Sequence, residues 1–115
     1  MKINVESTGN VSILQCGGNL DADSVGSFKQ VTNGLVDEGS INLVVDCADL
    51  DFVDSMGLGA LISLLRRVRQ REGDLKVAAL SEDVKTIFEI TRLHRLFEVC
   101  ETTELACKKF TKANE

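Results

Sequence analysis

Proline is absent from all 115 residues, and with it any proline-rich linker or stiff spacer between domains. No low-complexity segment and no internal repeat breaks the chain, so one domain is expected over residues 1–115. No apolar run approaches the ~20 residues that cross a bilayer as a helix, which argues against direct membrane insertion. The N-terminal MKINVEST alternates like a strand where a signal peptide has a continuous apolar core, so a cytoplasmic location is expected. His94 is the only histidine, which excludes a histidine-based metal cluster. The four cysteines, Cys16, Cys47, Cys100 and Cys107, form no CxxC pair and no tight cluster. Three of them fall on apolar faces of expected elements, where a free thiol packs as a small hydrophobe. Neither metal nor cofactor is expected.

Excess positive charge is lacking too. Thirteen lysines and arginines against 18 acids leave a net charge of −5, which disfavours nucleic acid, whose affinity comes mainly from phosphate neutralisation. The local exception, RRVRQR at 66–71, places Arg67 and Arg71 one turn apart at the end of an expected helix, where cations suit the macrodipole.

What remains is an ordinary globular composition, 43% hydrophobic and 27% charged. Residues 2–7 and 11–17 read as strands joined by the two-residue hairpin signal Gly9-Asn10. Val25, Phe28, Val31, Thr32 and Leu35 follow helical spacing, with Asp21, Asp23 or Ser24 as N-cap and Gly39 as the stop. INLVVDC (41–47) reads as a buried strand. Leu58, Leu61, Ile62, Leu65 and Val68 make a second helical stripe, followed by a strand at 75–80 and a short helix at 84–91. A brief edge strand at 96–99 and a closing helix over 103–110 complete ββαβαβαβα, an α/β order with a mostly parallel mixed sheet and an N-terminal β-hairpin. Parallel strands at 11–17 and 41–47 send their C-terminal ends to one rim, so Asp21 and Ser55 are predicted neighbours, where α/β proteins tend to place their sites.

Ser55 lies in DFVDSMGLGAL (51–61), at the corner between strand and helix. A nucleophilic serine there would sit in GxSxG, but Val53 stands two residues before it and His94 has no evident acidic partner, which argues against a serine hydrolase. The segment lacks the lysine of a phosphate-binding GxxxxGK[ST] loop. Asp46, Asp49, Asp51 and Asp54 crowd the strand end as in a phosphoacceptor receiver domain, yet the initial hairpin breaks that topology, which leaves these acids to cap the helix and keep the rim soluble. Local chemistry leaves Ser55 as a helix cap, a regulatory phosphosite, or both.

The segment L-x-F-V-D-S-x-G-L-G-x-L, residues 50–61, resembles the signature of the STAS-domain anti-sigma factor antagonists. GNLDADS (18–24) resembles that family's G-x-L-D loop, and residues 75–99 its following strand–helix–strand, in the same order. The resemblance implies a STAS-like fold and a non-enzymatic domain. Such a domain binds an anti-sigma factor that is also a serine kinase with a histidine-kinase-like ATPase fold. That kinase would phosphorylate the serine after the signature aspartate, here Ser55, and release the domain; a PPM-type phosphatase would reset it. The resemblance implies a partner-binding surface of Asp21, Asp23, Asp54, Ser55, Met56, Gly57 and Leu58, and weak homodimerisation is a further expectation. Met56 stands where many members carry a second Ser or Thr, and Asn19 replaces a frequent Glu. The alternative within the fold is an accessory STAS subunit of a membrane lipid or anion transporter.

Overall fold

Chain pairing starts at a two-residue turn in which Thr8 faces Val11 and Gly9 adopts φ +60°, a conformation that suits glycine at the first turn position. The turn joins β1 (Lys2–Thr8) to β2 (Val11–Leu20) as an antiparallel hairpin. The computed structural model describes residues 1–113. Beyond the hairpin, strands and helices alternate: α1 (Val25–Asp37), β3 (Asn42–Val53), α2 (Ser55–Gln70), β4 (Asp74–Ala78), α3 (Glu82–Ile90), a 3₁₀ turn (Leu93–Arg95), β5 (Glu98–Cys100) and α4 (Thr103–Ala113). The order read from the sequence is therefore the order observed.

The strands lie side by side in chain order, β1-β2-β3-β4-β5, with every pair after the hairpin parallel. Right-handed crossovers that always step the same way leave all their helices on one face. Leu14, Cys16, Leu43, Val45, Leu75 and Val77 accordingly point toward α1, α2 and α3, with Phe28, Val36, Leu61, Leu65 and Phe88 packed into the same core. The opposite face needs its own cover. Ala106 and Phe110 of α4 supply it over Val11, Ile13, Val44, Ala78 and Cys100.

β3 runs six residues past the expected end at Cys47. Its pairing with β2 continues from Gln15↔Asp46 to Leu20↔Val53 through two register shifts, each adding a residue on β3. The shifts turn the inward positions from every second residue to every third, Cys47, Leu50 and Val53, so strict alternation no longer marks the strand.

The arginine run ties the end of α2 to its neighbours. Arg67 binds the Asn33 side chain and pairs with Asp37, and Arg71 donates to the Val36 carbonyl at 2.8 Å, so both address α1 from one helix face. Arg69 reaches Asp74 at 3.2 Å and the Leu96 carbonyl at 3.1 Å.

Candidate functional site

The C-terminal ends of β2 and β3 do share a rim. The Asp54 N–H donates to the Leu20 carbonyl at 3.1 Å, which ends the ladder and starts α2. Asp54 has extended backbone (φ −93°, ψ −176°), and its Oδ1 accepts from the Gly57 N–H at 2.9 Å. Asp54 is thus the N-cap of α2 and Ser55 its first helical residue, so the cap comes from a strand-end acid, as one reading expects, and the expectation that Ser55 itself caps the helix is corrected. The cap side chain must come from the residue whose backbone is still extended, and that residue is Asp54. Ser55 is exposed, with its hydroxyl uncommitted to the cap.

The other half of the rim is built on Asp21. Its Oδ1 accepts from the Asp23 N–H at 3.1 Å and the Ser24 N–H at 3.2 Å. Ser24 stands at the N-cap position of α1 without a side-chain cap bond; its hydroxyl donates to the Asn19 carbonyl at 2.7 Å and accepts from the Asp21 N–H at 2.9 Å. The loop is closed on itself by these bonds. Across the rim, Asp54 Oδ2 accepts from the Ala22 N–H at 3.0 Å, joining segments 32 residues apart.

Of the residues expected on this surface, Asp23, Ser55 and Met56 are exposed, and Asp21 and Asp54 are half-buried. Gly57 and Leu58 are taken up by the domain. Gly57 is buried against the Leu20 carbonyl, which a Cβ there would meet at 2.3 Å. Leu58 packs against the main core. Phe52 escaped selection from the sequence although it lies within the quoted signature; 48% exposed, it flanks Ser55 together with Met56. The available signal was a large aromatic in a segment with aspartates at 51 and 54.

His94 is at the far edge. The 3₁₀ turn carrying it precedes β5 and so lies at the N-terminal end of the parallel strands, while Ser55 follows the C-terminal end of β3. Its Nδ1 lies 3.2 Å from the Phe88 carbonyl. Leu96, just beyond it, touches Arg69 in the last turn of α2, a helix of 16 residues and so about 24 Å long. His94 therefore cannot serve Ser55 as a base. Among the described residues, no group of three or more His, Cys, Asp or Glu is placed to hold a metal ion.

Cys16 and Cys47 lie buried in the core. Burial, reinforced by the charge of Asp46, pushes Cys16 up to about 12 and raises Cys47 further still.

Two loops are thus cross-tied at the end of a parallel sheet, with Ser55 exposed beside them. The chain matches the STAS domain over residues 2–106 and belongs to that family. An anti-sigma-B factor antagonist of Staphylococcus epidermidis is 30% identical over 107 residues, 91% of this chain and 99% of the relative. The crystal structure of an anti-sigma factor antagonist from Mycobacterium paratuberculosis is similar at a TM-score of 0.86 and 22% identity, over 94% of this chain and 92% of that one. The Bacillus cell fate determinant SpoIIAA in its phosphorylated form is similar at a TM-score of 0.75 and 19% identity, over 95% and 99%.

Proposed function

We propose that this domain is an anti-sigma factor antagonist that works by partner switching in the cytoplasm. Unphosphorylated, it binds an anti-sigma factor that is also a serine kinase; phosphorylation of Ser55 releases it, and a PPM-type phosphatase restores binding. The observation that carries the reading is Ser55 itself, exposed at the first position of α2 on the rim shared with the Asp21 loop. Near end-to-end similarity to an anti-sigma-B factor antagonist supports it, as does a phosphorylated form of a protein with this fold.

The chemistry of the position suits a reversible charge. A phosphate adds about −1.5 to −2 charges at neutral pH. At the start of α2 it meets free helix N–H groups and a favourable dipole, so the fold tolerates it. The effect falls on the interface, where Asp21, Asp23 and Asp54 already make the rim acidic. Like charges brought together across an interface cost several kcal/mol, and each ~1.4 kcal/mol is a tenfold loss of affinity.

The test uses Ser55→Ala and Ser55→Asp with the cognate kinase. S55A should bind the kinase and take no phosphate, and S55D should bind more weakly. Labelling of S55A equal to wild type would assign the phosphate elsewhere. Recovery of a transporter permease with the native protein would replace the reading with that of an accessory subunit.

A further inference from the structure

Both carboxylate oxygens of Asp54 are engaged within the chain, Oδ1 by the Gly57 N–H at 2.9 Å and Oδ2 by the Ala22 N–H at 3.0 Å. The second bond is the one side-chain hydrogen bond, among the described residues, that joins the 21–24 loop to α2. Within that loop Asp21 Oδ1 gathers the Asp23 and Ser24 N–H groups, and the Ser24 hydroxyl donates to the Asn19 carbonyl, so the loop holds its own shape. The start of the loop at Leu20 is held by its pairing with Val53 and by the Asp54 N–H, and the Asp54 side chain adds the tie further along, at Ala22. We infer that Asp54 is a positioning residue of the docking rim: it sets the Asp21 loop against Ser55 so that both meet a partner as one pre-formed surface.

On this inference Asp54 contributes to docking through the Asp21 loop and not by touching the partner, because each of its oxygens already accepts a bond from the chain. A surface already ordered loses less conformational freedom on association than one that must be assembled. The inference rests on the proposed docking role of the rim, and the chemistry of the cap allows the two to be tested apart. Asparagine at 54 keeps a carbonyl oxygen for the Gly57 N–H and caps a helix about as well as aspartate. Its amide group, however, turns donors toward the Ala22 N–H, which is also a donor. Asp54→Asn therefore keeps the cap and opens the tie, whereas Asp54→Ala loses both.

The experiment combines NMR of the isolated domain with a binding cycle. In D54N the Ala22 amide should shift and exchange faster with solvent, while the Gly57 amide stays protected and the melting temperature stays close to wild type. Affinity for the histidine-kinase-like anti-sigma factor from the same genome is then measured for wild type, D54N, Asp21→Asn and the double variant. D54N should weaken binding about tenfold in the wild-type background and less than about twofold in the D21N background, the non-additivity expected of residues acting as a unit. An equal loss in both backgrounds would mean that Asp54 meets the partner directly and would overturn the inference. An Ala22 amide indifferent to D54N would overturn it as well. A wild type that binds no such kinase would remove the proposed function and the docking role together; the Ala22 amide would still report whether the tie exists.

Discussion

Gly57→Ala puts the seating of α2 on the rim to a quantitative test. A Cβ at 57 would lie 2.3 Å from the Leu20 carbonyl oxygen and 2.9 Å from both Leu20 Cγ and Val53 Cγ1. The nearest obstacle is backbone, so no rotamer change relieves it, and the first turn of α2 must lift by about an ångström. Overpacking of this kind costs about 1–3 kcal/mol, and a rigid backbone obstacle places it near the upper end. Alanine returns about 1 kcal/mol through its better helix propensity. The net is a loss of about 2 kcal/mol, or a fall in melting temperature of about 8 °C for a domain of this size. Gly59 is the matched control: it lies in the same helix, and a Cβ there meets nothing within 4 Å. Gly59→Ala should therefore raise stability by about 0.5–1 kcal/mol. Circular dichroism melts of the two variants should move in opposite directions. A G57A protein that melts at or above wild type would show that α2 does not rest on the Leu20 carbonyl, and the same result would unseat the Asp54–Leu20 bond beside it.

Other positions carry predictions of their own. Ala79 holds φ +59° at the end of β4, so Ala79→Gly should stabilise the domain by up to about 1 kcal/mol in denaturant titrations. Lys76 is 7% exposed beneath α4, with its ammonium 3.0 Å from Asp74, 3.8 Å from Glu98 and 4.5 Å from the centre of the Phe110 ring. Lys76→Ala should destabilise by about 1–2 kcal/mol, chiefly through lost packing of its buried stem, because Asp74 keeps Arg69 and Glu98 keeps Lys109, whereas the exposed Lys109→Ala should change stability by less than about 1 kcal/mol. Cys16 and Cys47 should resist alkylation at pH 8 in the folded protein and react only on unfolding, followed by mass spectrometry. Because burial raises Cys16 from 9.0 to about 12, the unfolded chain loses this proton first; stability should be level below pH ~9 and fall as pH rises toward 12.

Much of this architecture was legible because its signals are local. The Gly9-Asn10 turn, the Val25–Leu35 stripe and the α2 stripe from Leu58 to Val68 each report a backbone period or a turn geometry that a few neighbouring residues suffice to set. Chain order then implied parallel pairing, and parallel pairing implied that the ends of β2 and β3 meet, so the nearness of the Asp21 loop to Ser55 could be reasoned before any coordinate. The last part of β3 escaped for a physical reason: DLDFV keeps two aspartates in a strand whose inward positions fall three apart, a spacing created by its register against β2.

By itself, the amino-acid sequence determined the element order and the common rim on which the serine of its D-S-x-G-L-G segment falls, because these follow from periodicity and connectivity. Tertiary structure alone decided which residue does what on that rim. Whether Asp54 or Ser55 caps α2 depends on which backbone is still extended when the helix begins, and that is set by the bond from Asp54 to Leu20. Gly57 is required by a carbonyl 37 residues away in the chain, and Asp54 reaches Ala22 only because two strands end side by side. A local pattern names the groups present; only the folded chain brings their partners within bonding distance.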